Sequence, residues 1–153
     1  ARATADLMAI AAALNRPEDI AELRTMKDRL EGGLAGRWRQ DLRRFVSLDL
    51  ISGQDIEAPT QAGFIPLIAV VLGAEQKAAV AAEISRWCED MVVGVPSTAP
   101  FSPLFEPKRY WRGPVWAVVN WLIADGLRTN GLIDLAKSVE GGTVKAMERA
   151  GFC

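Results

Sequence analysis

Apolar positions recur at helical spacing along most of this chain. Leu7, Ile10, Ala11 and Leu14 mark one face of a helix over residues 4–14. After a short connection at 15–17, Pro17 and Glu18 suit a helix start, with acidic side chains in the first turn. Ile20, Leu23, Met26, Leu30 and Leu34 continue that face, and Trp38 extends the pattern towards Leu42; Gly32-Gly33 and Gly36 are candidate break points. Loop length makes these two helices antiparallel neighbours. Around Phe45, Val46 and Leu48 the pattern shortens to an extended segment, and 47–53 reads as a loop leading to a turn.

A second pair begins at 59–72, where Pro66 fits a first helical turn, Leu67, Val70 and Val71 are expected to be buried, and Gly73 ends the helix. Residues 75–91 are amphipathic, with Val80, Ile84, Trp87, Cys88 and Met91 on one face; Trp87 and Cys88 read as core. Residues 95–108 carry Pro96, Pro100, Pro103 and Pro107 and cannot be helical throughout. A third pair follows. Residues 114–128, opened by Pro114, are apolar on nearly every side, which implies burial on several faces. Asn130-Gly131 gives a turn, and 132–150 returns with Leu135, Val139, Val144 and Met147 inward and Gly141-Gly142 as a weak point. The fold class is all-α: three helical hairpins joined by unequal loops, either a small domain by themselves or half of a toroid built from helical pairs. The apolar helix after Pro114 and the abrupt termini favour the half toroid.

Composition narrows the functional classes. The chain has 153 residues, half of them apolar, with 18 basic and 19 acidic side chains and a net charge of −1. Nothing in that balance suggests nucleic acid or an anionic membrane as partner, and no apolar run reaches the ~18 residues of a membrane span. Arg37, Arg39, Arg43 and Arg44 read as a solvated helix end. Histidine is absent, which excludes Ser-His-Asp and Cys-His catalysis and His-based zinc sites within these residues. Cys88 and Cys153 are too few for a metal cluster and demand no disulfide, which accords with a reducing, cytoplasmic location.

Chemistry concentrates in residues 109–120, RYWRGPVWAVVN, which hold the only tyrosine and two of the five tryptophans. Tyr110 and Trp111 offer flat apolar faces of the kind that stack on pyranose C–H groups, and the Tyr hydroxyl can donate or accept. Arg112 offers donors for sugar hydroxyls or for orienting a carboxylate. Gly113 would let a ligand approach the backbone. Trp116 and Asn120 follow at three and seven residues, on roughly one face of the new helix. The same cluster would equally serve to pack the loop onto the bundle.

Tyr-Trp-Arg-Gly-Pro-Val-Trp, followed by Asn-Trp-Leu-Ile and Gly-Leu, resembles glycoside hydrolase family 63 and the related mannosylglycerate-hydrolase-like enzymes; 49–53, 63–67 and 95–97 look like further family landmarks in the right order. The resemblance implies part of an (α/α)6 barrel that hydrolyses an α-linked glucoside or mannoside with inversion, without metal or cofactor. It implies substrate contacts at Tyr110, Trp111, Arg112, Gly113, Trp116 and Asn120, with carbohydrate and the remainder of the parent barrel as partners. It also places the catalytic acid upstream of these residues and the base just downstream of Cys153. The whole of 1–153 is therefore expected to be one barrel segment truncated at both ends, supplying sugar-binding walls without the reacting groups and catalytically silent alone.

The acids present have local explanations. Asp49 reads as a turn former, Asp55 and Glu57 as solvated, Glu106 as solvated or arginine-paired, and Asp125 as a partner of Arg128. Two rivals stay open. One is a non-catalytic helical carbohydrate-binding or interaction module, which predicts a closed core. The other is a trehalase-like or debranching-type (α/α)6 hydrolase.

Overall fold

The computed structural model describes residues 1–89 and 93–151. Its regular elements are mostly helical: α1 (Arg2–Ala13), α2 (Pro17–Ala35), α3 (Ala74–Cys88), α4 (Ala117–Thr129) and α5 (Ile133–Ala150), with a 3-10 run at Gln61–Ile68. Four two-residue strands, β1 (Trp38–Arg39), β2 (Arg44–Phe45), β3 (Ser47–Leu48) and β4 (Asp55–Ile56), form two small antiparallel ladders between α2 and the 3-10 run. Met91 and Cys153, assigned above to a helix face and to the cysteine pair, lie outside the described residues. No helix among the described residues is long and apolar enough to cross a membrane.

The first hairpin forms as its pattern predicts. Asn15 takes φ 53°, Arg16 N–H reaches back to Ala11 O at 2.9 Å, and Pro17 opens α2 with Glu18 and Asp19 in the first turn. Gly32 and Gly33 do not break α2, which ends at Ala35 rather than continuing towards Leu42. There Trp38 and Phe45 meet edge to face with centroids 5.0 Å apart, and Val46 N–H bonds Arg37 O at 3.0 Å. Phe45 is buried there, and its edge-to-face pair with Trp38 adds to what area burial alone contributes.

The arginine patch is not a solvated helix end. Arg37 and Arg39 both grip Asp55, Arg39 also binds Asp41 at 2.7 Å, and Arg44 donates to Glu57 O at 2.8 Å. Asp55 is correspondingly not a free surface acid. The Arg39 and Arg37 guanidiniums hold its carboxyl below the usual carboxylate range. A depressed folded-state pKa stabilises above the unfolded value and is lost as pH falls through the folded one. Asp55→Asn is therefore expected to lower the thermal midpoint at neutral pH and to flatten its fall below about pH 4. An unchanged acid limb would show that the two ion pairs contribute nothing.

The second pair departs from expectation. Residues 61–68 form a 3-10 run with Pro66 inside it, and Gly73 caps the start of α3 instead of ending a helix. Val71 is 80% exposed, whereas Leu67 and Val70 are buried as expected. The run sets Leu67 against α4 at Gly126, where a Cβ would come within 2.6 Å of Leu67 Cβ. Asn130, beyond α4, ties these parts together: its Oδ1 accepts from Leu72 N–H at 2.8 Å, and its Nδ2 donates to Leu67 O at 3.0 Å and Val70 O at 3.1 Å.

The core joins Phe45, Phe64, Leu67, Ile84, Trp87, Val95, Ile123, Leu127 and Val139, so Trp87 is a core residue. Cys88 is part-buried beside it, and burial pushes its thiol up. α5 runs unbroken through Gly141-Gly142, and Val144 faces outward at 52% exposure. Asp125 pairs with Arg2 at 3.1 Å rather than with Arg128, whose guanidinium takes Glu140. α4 is not buried all round: Ile123, Ala124 and Leu127 are fully covered, while Val118 and Trp121 stand more than 60% exposed.

Candidate carbohydrate-binding site

Residues 94–99 are buried without interruption, an unusual state for a loop. Every link that buries them is specific. On one side Gln61 N–H bonds Ser97 O at 3.1 Å and Ala99 N–H bonds Pro59 O at 2.9 Å. On the other, Ser97 N–H bonds Pro114 O at 3.0 Å, and Pro96 pairs with Val115 in an antiparallel bridge. That bridge explains why Pro114 and Val115 are extended rather than helical. α4 begins at Ala117, three residues later than its sequence pattern suggests, with Trp116 as N-cap in extended backbone geometry.

The following loop folds back over residues 94–99. Phe101 is anchored by Trp87, with ring centroids 6.5 Å apart, and by the Arg86 guanidinium 3.6 Å from its ring centre. Thr98 Oγ1 donates to Trp111 O at 3.2 Å. Arg112 reaches back along the loop, its Nε donating to Leu104 O at 2.9 Å and its Nη1 pairing with Glu106 at 2.9 Å. Glu106 also pairs with Arg109 at 3.4 Å, as its arginine-paired reading expects.

Tyr110, Trp111 and Trp116 meet as one aromatic cluster. Tyr110 stands edge-on to Trp111 and Trp116, with centroids 5.6 and 4.8 Å away, while the two indoles lie 4.9 Å apart and tilted by 31°. Trp116 Nε1–H donates to Tyr110 O at 3.2 Å, so the rings are locked to the loop backbone. Tyr110 is 65% and Trp111 53% exposed. Trp116 is half-buried beneath them. Two rings held this rigidly yet open to solvent are costly unless something covers them. Beside them a cleft of about 290 Å³ runs between Pro114 and Trp116 on one side and Thr143, Met147 and Ala150 on the other.

The other three residues singled out in this motif are engaged within the chain. Arg112 is tied to Glu106 and Leu104. Gly113 is buried, and the backbone approaching it closely is that of Glu106-Pro107, where a Cβ would sit 2.6 Å from Pro107 Cα. Asn120 is 1% exposed: its Oδ1 accepts from Val95 N–H at 2.7 Å and its Nδ2 donates to Val95 O at 2.8 Å and Trp116 O at 3.2 Å. Sequence reasoning overlooked Thr98, although its neighbours 95–97 had stood out. Asp49 is a turn former: it accepts from Ile51 N–H at 3.0 Å and Ser52 Oγ–H at 2.6 Å, and those bonds hold its carboxyl low.

This arrangement of helical pairs and aromatic loop has close counterparts. A mannosylglycerate hydrolase of Thermus thermophilus is 41% identical over 99% of this chain and 36% of its own length. Mannosylglycerate hydrolase MGH1 of Selaginella moellendorffii is 36% identical over 99% of this chain and 31% of its own. The chain thus spans about a third of the curated relatives it matches. Among solved structures, the GH63 mannosylglycerate hydrolase of Thermus thermophilus in complex with glucose superposes with a TM-score of 0.91 at 40% identity, covering 99% of this chain and 38% of that one. The same enzyme in complex with Tris and D-glycerate superposes equally well, also at 40% identity, over 99% of this chain and 36% of that one. These neighbours have the (α/α)6 fold, of which the hairpins described here form part. With its family profile matched over residues 1–153, the chain belongs to the mannosylglycerate hydrolase MGH1-like glycoside hydrolase domain family.

Proposed function

We propose that the protein containing this chain is an inverting glycoside hydrolase of the mannosylglycerate hydrolase type, acting on α-linked mannosides or glucosides. In that reading these residues form one wall of the sugar site, and 1–153 is a segment of a larger barrel domain. The carrying observation is the Tyr110–Trp111–Trp116 cluster, locked to the loop backbone with Tyr110 and Trp111 open to solvent, in a chain whose relatives are named for mannosylglycerate hydrolysis. The three rings stack on the pyranose, while Arg112, Gly113 and Asn120 shape and hold the loop that presents them. The acid that protonates the leaving oxygen and the carboxylate that activates water come from the parent barrel outside these residues. No metal or other cofactor takes part.

Exposed apolar side chains support the segment reading over a self-contained binding module. Leu7, Ile10 and Leu14 on α1, and Val118 and Trp121 on α4, are each at least half exposed, which suits helices that meet further barrel helices.

The test is turnover of mannosylglycerate and glucosylglycerate by the intact protein, with the anomer first released read by NMR. An α-linked substrate is expected to yield the β-anomer. Retention of configuration, or no turnover of either compound, would sink the reading. Trp111→Ala is expected to lower kcat/KM about 30-fold, matching about 2 kcal/mol for one uncovered aromatic face.

A further inference from the structure

Gly141-Gly142 reads as a weak point in the last helix, yet α5 runs unbroken through it. The two glycines differ in what they face. A Cβ on Gly141 would meet nothing within 4 Å among the described residues, whereas a Cβ on Gly142 would lie 2.4 Å from Gly94 N and 3.1 Å from Gly94 Cα. We propose that Gly142 is a positioning residue: by letting α5 close onto the backbone of Gly94, it sets the width of the cleft between Trp116 and the C-terminal half of α5. That this width matters to substrate rests on the hydrolase reading; the contact itself does not.

The helix alone gives no reason for a glycine here. Inside a helix glycine is less stable than alanine, and the backbone at Gly142 has no positive φ that would demand it. The close approach of Gly94 is what accounts for it. Gly94 is itself hemmed in. It has φ 46°, a Cβ on it would come 2.6 Å from Asn120 Oδ1 and 3.2 Å from Val115 Cγ1, and its carbonyl accepts from Cys88 Sγ–H at 3.5 Å. A side chain at 142 therefore meets backbone that cannot give way, and relief of the clash falls on α5.

Both walls of the cleft depend on this contact. Gly94 leads into Val95, which Asn120 clamps, and the same Asn120 amide donates to Trp116 O at 3.2 Å. The opposite wall is α5 itself: Thr143 follows Gly142 directly, and Met147 and Ala150 continue the same face at four and seven residues. Non-bonded heavy atoms rest about 3.5–4.0 Å apart, so an approach of 2.4 Å must open by about 1 Å. The cleft holds about 290 Å³, and shifts of about 1 Å in a group that positions substrate cost up to about 100-fold.

Steady-state kinetics of the intact protein with mannosylglycerate test the proposal. Gly142→Ala is expected to raise KM about tenfold. KM is the telling quantity, because loss of folded enzyme scales kcat and leaves KM unchanged. Gly126→Ala is the matched control: its Cβ would lie 2.6 Å from Leu67 Cβ, a comparable clash on the contact with the 3-10 run. It is expected to melt lower with KM unchanged. Gly141→Ala is expected to keep the wild-type KM and to melt no lower than wild type. Met147→Ala trims the α5 wall without touching the backbone contact and is expected to raise KM about threefold. The proposal is overturned by a Gly142→Ala protein that does not fold, or that melts lower with wild-type KM, since Gly142 is then a packing residue only. An equal rise in KM for Gly126→Ala, or an unchanged KM for Met147→Ala, overturns it as well.

Crystal structures of the wild type and Gly142→Ala read the same point without turnover. The separation of Trp116 from Met147 is expected to widen by about 1 Å, and an unmoved α5 counts against the proposal. Failure of the hydrolase reading is distinguishable, because it appears as an inactive wild type in which the Gly142→Ala substitution still displaces α5.

Discussion

Asn120→Ala is expected to destabilise the intact protein by about 3–5 kcal/mol, near the upper end for a single truncation. The magnitude follows from what is left behind. Val95 is fully buried, and both its N–H and its C=O are held by the one Asn120 side chain, at 2.7 and 2.8 Å. Alanine leaves both backbone groups in the interior without partners, each costing about 1–3 kcal/mol, and opens a small void besides. Water cannot readily replace the amide, because Gly94 is wedged beside it. Gly94 has φ 46°, and a Cβ there would come 2.6 Å from Asn120 Oδ1 and 3.1 Å from Thr143 Oγ1. Asn120→Asp separates the two halves of the clamp. It keeps the acceptor for Val95 N–H but turns the donor to Val95 O into a second carboxylate oxygen, and is expected to be nearly as damaging. The measurement is urea unfolding of the intact protein. A loss of under about 1 kcal/mol for Asn120→Ala would mean that Val95 finds other partners and that the clamp is dispensable.

What the sequence made legible is what depends on local repetition. α1, α3 and α5 declare themselves through apolar spacing, and Pro17 with two acids marks the start of α2 correctly. The aromatic cluster is visible because Tyr and Trp are rare and here fall within seven residues. What fails to show is whatever depends on partners far along the chain. The α2 pattern runs on to Leu42, yet the helix stops when Trp38 can cover Phe45 seven positions later. Pro114 looks like a first helical residue, but its carbonyl is claimed by Ser97 N–H, seventeen positions earlier, and the chain stays extended. Asn120 has the spacing of a ligand-facing helix residue; its amide instead closes on Val95, 25 positions away. Asn130 read only as a turn former, whereas its side chain fastens Leu67, Val70 and Leu72. Asparagine side chains match a backbone amide donor for acceptor, so a buried one is often a clamp whose partner the sequence does not name.

Within these residues, Gly113→Ala is expected to be the most damaging single change to turnover, with kcat/KM falling about 100-fold and stability by about 3 kcal/mol. Composition alone suggests that this glycine admits a ligand. The structure shows it admitting the chain's own backbone: an added Cβ would lie 2.6 Å from Pro107 Cα, 2.7 Å from Glu106 C and nearer still to Glu106 O. None of these is the end of a side chain that could swing away, so two backbone segments must separate. Their separation opposes three bonds at once: Glu106 N–H to Arg112 O at 2.8 Å, the Arg112–Glu106 ion pair, and Arg112 Nε–H to Leu104 O. The rings flank the point of strain, Trp111 two residues before it and Trp116 three after, so a shift of about 1 Å reaches both, and displacements of that size cost about 100-fold when they move a positioning group. Arg112→Ala makes the informative control. It removes the ion pair and the Leu104 bond without any clash, so its effect on kcat/KM is expected to be about tenfold or less. Gly113→Ala with normal turnover and only a lower melting temperature would show that the rings do not depend on the register of this loop. Equal losses for the two variants would place the effect in the arginine's bonds rather than in the close approach of the backbones.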